Sequence, residues 1–367
     1  MVQCVLSCRA TKLRMGWAVC LIVLLMTAPV FAGKSKKTVT VESTPPDVLL
    51  EGGRKLTFER TLSSEREAHG KPGFWNKLVN VVIGAPDYKL MVRPYSIAVD
   101  SRGRIIVTDP GVGGVHIFDL AQHKYKFLER KEKSKDSMMT PQCVAVDAKD
   151  NIYVTDSESG KIFLFDATGK FLKTFGSLKG GEGYYKRPTG ITIDPETQQI
   201  YVTDTLRNRV FALDSNGQVV SSFGQHGSEN GEFNFPTEVL AKGGIVAVVD
   251  AMNFRVQTFD RAGAYKSSIG NVGDSDGQFF RPKGIGLDSE GHIYVVEGAW
   301  GVVQVFTVEG QLLYTFGSRG TQPGEFQLPT GLFIDQSDRV YVVDSYNHRL
   351  QIFQYHGLKA KTQGARQ

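Results

Sequence analysis

Residues able to do acid–base or charge-stabilising chemistry recur in this chain in one arrangement. An aspartate closes an apolar run and an arginine follows five positions later: Asp204 with Arg209, Asp250 with Arg255, and Asp344 with Arg349. A carboxylate beside a guanidinium could orient a substrate or serve a proton transfer. The acid recurs too often for one centre, however. Asp109, Asp156 and Glu297 hold the same place, with Gly114, Lys161 and Val302 at the fifth position after them. A single active site has no use for copies spread along a chain, and no Ser/His/Asp ordering or metal-ligand cluster accompanies them. The pairs are expected to brace turns, the carboxylate accepting backbone N–H groups while the base pairs with it.

What must position these residues is a repeat. Pro94, Pro141, Pro188, Pro236, Pro282 and Pro329 each open a similar segment, 46 to 48 residues apart. The third reads "PTGITIDPETQQIYVTDTLRNRVFALDSNGQVVSSFG". Its short runs of Val, Ile, Tyr and Phe, separated by Asp, Asn and Gly, are strands joined by tight turns. Four such runs per unit predict a blade, and six units predict an all-β, six-bladed β-propeller of four-stranded antiparallel blades. The sixth repeat stops at "QIFQYHG" without a fourth strand, whereas "GRKLTFER" (53–60) resembles "GQLLYTFG" (310–317). The N-terminal stretch is therefore expected to supply the missing outer strand and close the ring, hiding two sheet edges. Between it and the first blade, Phe74, Trp75, Leu78, Val79, Val82 and Ile83 fall at helical spacing. They predict one short amphipathic helix, packed on the propeller or lying over one end of its channel.

The recurring pattern P-x-G-[IV]-x-[IV]-D, then [IV]-Y-V-x-D, N-x-R-[VL] and F-D-x-x-G…F-G resembles the NHL repeat over residues 94–355. The resemblance implies an exported, bacterial-type six-bladed propeller. It implies little about activity, because the family includes sensor, RNA-binding, lyase and scaffold members. NHL-like amidating lyases hold zinc on several inward histidines, and lactonase-like propellers hold calcium on Glu, Asp and Asn around the channel. Here the seven histidines share no repeat position, and only His226 and His348 fall on one face. Glu238 is the one hard oxygen ligand expected where the inner strands begin. Neither zinc nor calcium, nor any other cofactor, is expected from so few ligands.

Targeting and charge narrow the class of partner. Arg9, Lys12 and Arg14 precede the apolar run "WAVCLIVLLMTAPVFA" (17–32), with Val30 and Ala32 at cleavage spacing. This predicts a signal peptide over 1–32, an exported (periplasmic or secreted) product and no transmembrane domain after cleavage. Losing three basic residues lowers the formal charge from +5 to +2. Cys143 then remains alone, so no internal disulfide is expected. A near-neutral exported protein is a poor match for nucleic acid. The basic run "KYKFLERKEKSK" (124–135) is interrupted by Glu129 and Glu132 and reads as a solvated loop. The expected layout is a flexible segment at 33–49, a closing strand and helix at 50–92, the propeller at 93–357 and a flexible tail at 358–367.

Candidate binding residues are those that differ between repeats. After the recurrent acid, the turns read "PGVG", "SESG", "TLRN", "AMNF", "GAWG" and "SYNH". Arg207, Asn208, Met252, Phe254, Trp300, Tyr346 and His348 should cluster on one face. At the start of the inner strands, Tyr95, Gln142, Glu238 and Lys283 should ring the channel mouth, with Glu238 and Lys283 near enough to pair and Cys143 a small buried neighbour. The sequence thus points to a monomeric, non-catalytic binding or scaffold module for a protein, peptide or glycan of the cell envelope. Its alternative is a metal-assisted lyase or hydrolase at the channel mouth.

Overall fold

The computed structural model describes residues 45–69, 87–129, 137–176 and 185–358. The expected signal peptide, the helix at 74–83, most of the flexible lead-in and nearly all of the tail lie outside these residues. Six antiparallel sheets form six blades: residues 96–128, 141–175, 188–223, 236–269 and 282–316, then 332–356 joined by Lys55–Leu62. In blade 3 the order from the channel outward is Pro188–Ile193, Ile200–Asp204, Arg209–Leu213 and Val219–Phe223.

Burial explains the pattern of each strand. The second strands lie between the sheets of neighbouring blades. "IYVTD" is accordingly buried at every position and shows no alternation. The outer strand "VVSSF" keeps only its two ends partly covered. Turns on the far face are set by aspartates: Asp214 Oδ1 accepts the amides of Asn216 (2.9 Å) and Gln218 (2.8 Å). Threonines join neighbouring blades. Thr203 Oγ1 donates to the Thr237 carbonyl of the next blade (2.9 Å), and Thr330 Oγ1 donates to Tyr95 (2.8 Å), which joins blade 6 to blade 1.

The core is divided into interblade clusters, such as Tyr201, Val210, Val239, Val248 and Phe259 between blades 3 and 4. An aromatic plug from the loop entering each of blades 4, 5 and 6 completes these layers. Phe233, Phe279 and Phe326 are fully buried, each nine residues after a glycine. Gly224 has φ 89°, and a Cβ there would lie 2.3 Å from the Phe233 ring. Both the left-handed backbone and the ring contact therefore exclude other residues.

Lys55–Leu62 pairs antiparallel with Arg349–His356, from Lys55 opposite His356 to Leu62 opposite Leu350. The N-terminal segment thus provides the outer strand of blade 6. Val48–Leu49, expected within the flexible lead-in, instead pairs with Leu56 and Lys55 as a short fifth strand. Deleting residues 50–60 should expose the edge of Arg349–His356 to other chains. The expected outcome is elution as aggregate on size-exclusion chromatography; elution as a soluble monomer would show that this strand does not close the ring.

Candidate functional site

The recurrent acids are fully buried: Asp109, Asp156, Asp204, Asp250, Glu297 and Asp344 are each 0% exposed. Each one clamps the loop that enters its own blade. Asp204 accepts the amides of Lys186 (2.7 Å) and Arg187 (3.0 Å), the two residues before Pro188. Glu297 accepts those of Phe280 (2.8 Å) and Arg281 (3.0 Å). Asp109 does the same for Val92 and Arg93, and Asp156 for Met139 and Thr140.

Blades 4 and 6 replace the second amide by side chains. Asp250 takes Asn234 N (2.7 Å), Asn253 Nδ2 (2.8 Å), Arg255 Nε (2.9 Å) and Gln257 Nε2 (3.2 Å). Asp344 takes the matching set from Gln327, Asn347, Arg349 and Gln351. The expectation for blade 3 needs correction. Arg209 does not pair with Asp204; its Nε donates to the Gly224 carbonyl (3.1 Å), while Arg207 Nε stands 3.7 Å from Asp204. With two amides already on the carboxylate, the guanidinium is not needed there.

Clamped in this way, the turns after the acids (tip turns) and the loops entering the blades (entry loops) share one face. The candidate residues on it divide into two groups. Asn208, Phe254 and His348 all have left-handed backbones, with φ of 53° to 55°, and all reach the next blade. Asn208 Oδ1 accepts the Phe235 amide (2.8 Å), Phe254 stacks on Phe280 with ring centroids 6.2 Å apart, and His348 Nδ1 hydrogen-bonds the Val92 carbonyl. These three tie blades together. Met252, Trp300 and Tyr346 project instead, at 55%, 45% and 55% exposure. Arg207 lies between the groups, partly buried, over the Phe211 ring.

Four exposed apolar residues on the same face were not among the sequence candidates: Val92, Leu206, Phe235 and Phe280. All but Leu206 belong to entry loops, one or two residues before a repeat proline. The signal was the variation just before that proline, where Arg93, Thr140, Arg187, Phe235, Arg281 and Leu328 occupy one position in six blades.

At the channel mouth Tyr95, Gln142, Glu238 and Lys283 are partly buried and Cys143 is buried. Glu238 and Lys283 form no ion pair within bonding distance among the described residues. The nearest partner of Glu238 is across the channel: Cys143 Sγ of blade 2 donates to Glu238 Oε2 of blade 4 (3.1 Å). Gly190 of blade 3 leaves no side chain between them; a Cβ there would meet the Thr237 carbonyl at 2.7 Å.

Burial pushes the Glu238 carboxyl up to about 7, against the lowering effects of the Cys143 thiol and Lys283. Burial also raises the Cys143 thiol and the Tyr95 phenol, and together with Arg281 it lowers the Lys283 ammonium. Among the described residues no three His, Cys, Asp or Glu side chains are grouped to hold a metal ion.

Two family models match the chain. One, described as a 6-bladed beta-propeller, matches residues 134–224, and the NHL repeat matches 326–353. The chain folds as a six-bladed β-propeller, and its residues 326–353 match the NHL repeat. No curated protein matches it in sequence. Among solved structures, the virginiamycin B lyase of Staphylococcus aureus superposes with a TM-score of 0.53 at 14% identity, covering 82% of this chain and 99% of that one. An auxiliary nutrient binding protein of Bacteroides thetaiotaomicron gives 0.56 at 12%, covering 72% and 69%. One of Bacteroides ovatus gives 0.54 at 13%, with the same coverage. At these identities the likeness carries the fold alone. Among the described residues, no helix of this propeller is long and apolar enough to cross a membrane.

The raised Glu238 carboxyl sets a pH dependence. The folded protein holds this proton to about pH 7, whereas the unfolded chain releases it near the ordinary value of 4.5. Its contribution to stability is therefore full below the ordinary value and is lost as pH rises through 7. Melting temperature should fall between pH 5.5 and 8, and Glu238→Gln should flatten that fall. An equal fall in the variant would place the titration elsewhere.

Proposed function

We propose that this NHL propeller is an exported, non-catalytic binding module whose ligand is a protein, peptide or glycan of the cell envelope. Its docking surface is the face of tip turns and entry loops. The observation that carries this reading is the set of exposed apolar side chains gathered there: Met252, Trp300 and Tyr346 from three successive blades, joined by Leu206, Phe235 and Phe280. Soluble proteins seldom leave so many large apolar groups wet on one face unless that face binds. The buried clamps hold the loops in place beforehand, so little ordering entropy is lost on binding. Auxiliary nutrient binding proteins carry the same fold, which accords with a binding role. Export rests on the basic-then-apolar pattern of residues 9–32.

A second reading, catalysis at the channel mouth, is favoured by one observation: a carboxyl with a pKa of about 7 beside Tyr95 and Lys283 is poised for proton transfer near neutrality. It rests on Glu238 and not on a metal-ligand set.

Met252→Ala, Trp300→Ala and Tyr346→Ala together should leave stability within about 1–2 kcal/mol of the parent, because all three side chains project from the surface. The purified protein applied to peptide and glycan arrays should bind members of at least one, and the triple variant should lose that signal. Equal binding by the triple variant, or no binding on either array, would contradict the assignment of this face.

A further inference from the structure

The channel mouth carries cations that the protein itself does not neutralise. Arg187 and Arg281 occupy the same repeat position in blades 3 and 5, immediately before the proline that opens the inner strand, and both are exposed. Their backbone amides are fixed by Asp204 and Glu297. Among the described residues their side chains make no hydrogen bond or ion pair. Lys283 lies two residues past Arg281, partly buried and likewise without a carboxylate at bonding distance among the described residues. These groups converge: the Tyr95 phenol of blade 1 is within electrostatic reach of Arg187, Arg281, Cys143 and Glu238, while Lys283 interacts with Arg281 and Glu238. Three cations thus line one opening, where the nearby carboxyls are already engaged: Glu238 accepts the Cys143 thiol, and Glu297, which also acts on Lys283, accepts the Phe280 and Arg281 amides.

We propose that the channel mouth is a carboxylate-binding site for an acidic peptide segment, its carboxylate held by Arg187, Arg281 and Lys283 and its apolar neighbours laid on Phe280, Trp300 and Tyr346. This rests on the binding role proposed above and names the ligand class. Arginine presents a planar fork that fits a carboxylate in bidentate fashion, and converging cations hold one anion more tightly than dispersed ones do. Trp and Tyr beside such a group are the side chains that anchor protein interfaces.

The rim favours peptide over glycan. Its projecting side chains at Leu206 and Met252 offer sugar hydroxyls no hydrogen bond, and the asparagines of the tip turns are engaged within the fold. Asn208 holds Phe235, Asn253 holds Gly227 and Asp250, and Asn347 holds Gly320 and Asp344. Nucleic acid would call for cations spaced along a strand, not three around one opening. The carboxylate can come from a chain terminus or from an Asp or Glu side chain.

Two random octapeptide phage libraries, one ending in a free C-terminus and one displayed internally, test the proposal against the full-length protein and its Arg187→Glu/Arg281→Glu variant. Selected peptides should be acidic with aromatic or aliphatic neighbours. By fluorescence anisotropy the variant should bind them at least tenfold more weakly. Glu238→Gln, which removes a carboxyl that would compete for the same cations, should bind them at least as tightly as the parent. Enrichment only in the free-terminus library assigns the carboxylate to a chain end; enrichment in both assigns it to side chains. Should the charge-reversed protein unfold, Arg281→Gln/Lys283→Met gives the same comparison with less perturbation.

Selection of neutral or basic peptides, bound equally by parent and variant, would overturn the carboxylate site and leave the binding face standing. Binding confined to a glycan array would overturn the peptide and keep the face. No ligand on any of these platforms would overturn both.

Discussion

The structure depends on one buried interaction repeated six times: a carboxylate at the end of each second strand, closed off from water and satisfied by the loop that enters its own blade. An ionised group in that position is tolerable only if its oxygens are fully used. The requirement therefore acts on the loop as much as on the acid. The two residues before each proline must offer an amide, and where one amide is lost, as in blades 4 and 6, an Asn–Arg–Gln set takes its place. Fixed at these points, the face can change its side chains without changing its shape.

That division between fixed backbone and free side chains organises the rest of the molecule. Positions that face the next blade are held to small or specific residues: glycine at 190, 284 and 331, where the neighbouring backbone leaves no room for a Cβ, and threonine where a carbonyl must be met. Positions that face solvent in the entry loops and tip turns carry Arg187, Phe280, Trp300 or Tyr346. The channel mouth combines both kinds. Its glycines let neighbouring backbones approach closely, and its charge comes from the side chains of Arg187, Arg281 and Lys283, which make no bond to another blade among the described residues. Burial there keeps the proton on Glu238 to near neutrality, against the opposing effect of the Cys143 thiol that meets it from blade 2.

Much of this was legible in the sequence because the repeat exposes what is geometric. The six prolines, the four runs in each unit and the unfinished sixth repeat specified six blades and a borrowed outer strand. Multiplicity alone showed that the recurrent acid was scaffold. What stayed hidden was the alternative use of a residue type. Arg209 and Arg255 occupy one repeat position, yet only Arg255 meets its acid, because Asp204 is already served by two amides and Asp250 by one. Asn208, Phe254 and His348 looked like freely variable tips and turned out to be interblade ties, a role that depends on the entry loop of the following blade. Glu238 seemed matched to Lys283 by adjacency of blades, but a glycine at 190 lets Cys143 reach it from farther around the ring. The residue before the proline carried the most specific signal, and only the folded ring shows that Arg187 and Arg281 share an opening.

The central claim is that the face is held in its binding shape before any ligand arrives. Hydrogen exchange of the ligand-free protein reads this directly at Val92, Arg93, Lys186, Arg187, Asn234, Phe280, Arg281 and Gln327, loop residues whose amides donate to buried carboxylates. The account requires these amides to exchange as slowly as those of the adjoining strands. Exchange at the rate of an unstructured peptide, with the strands still protected, would contradict it.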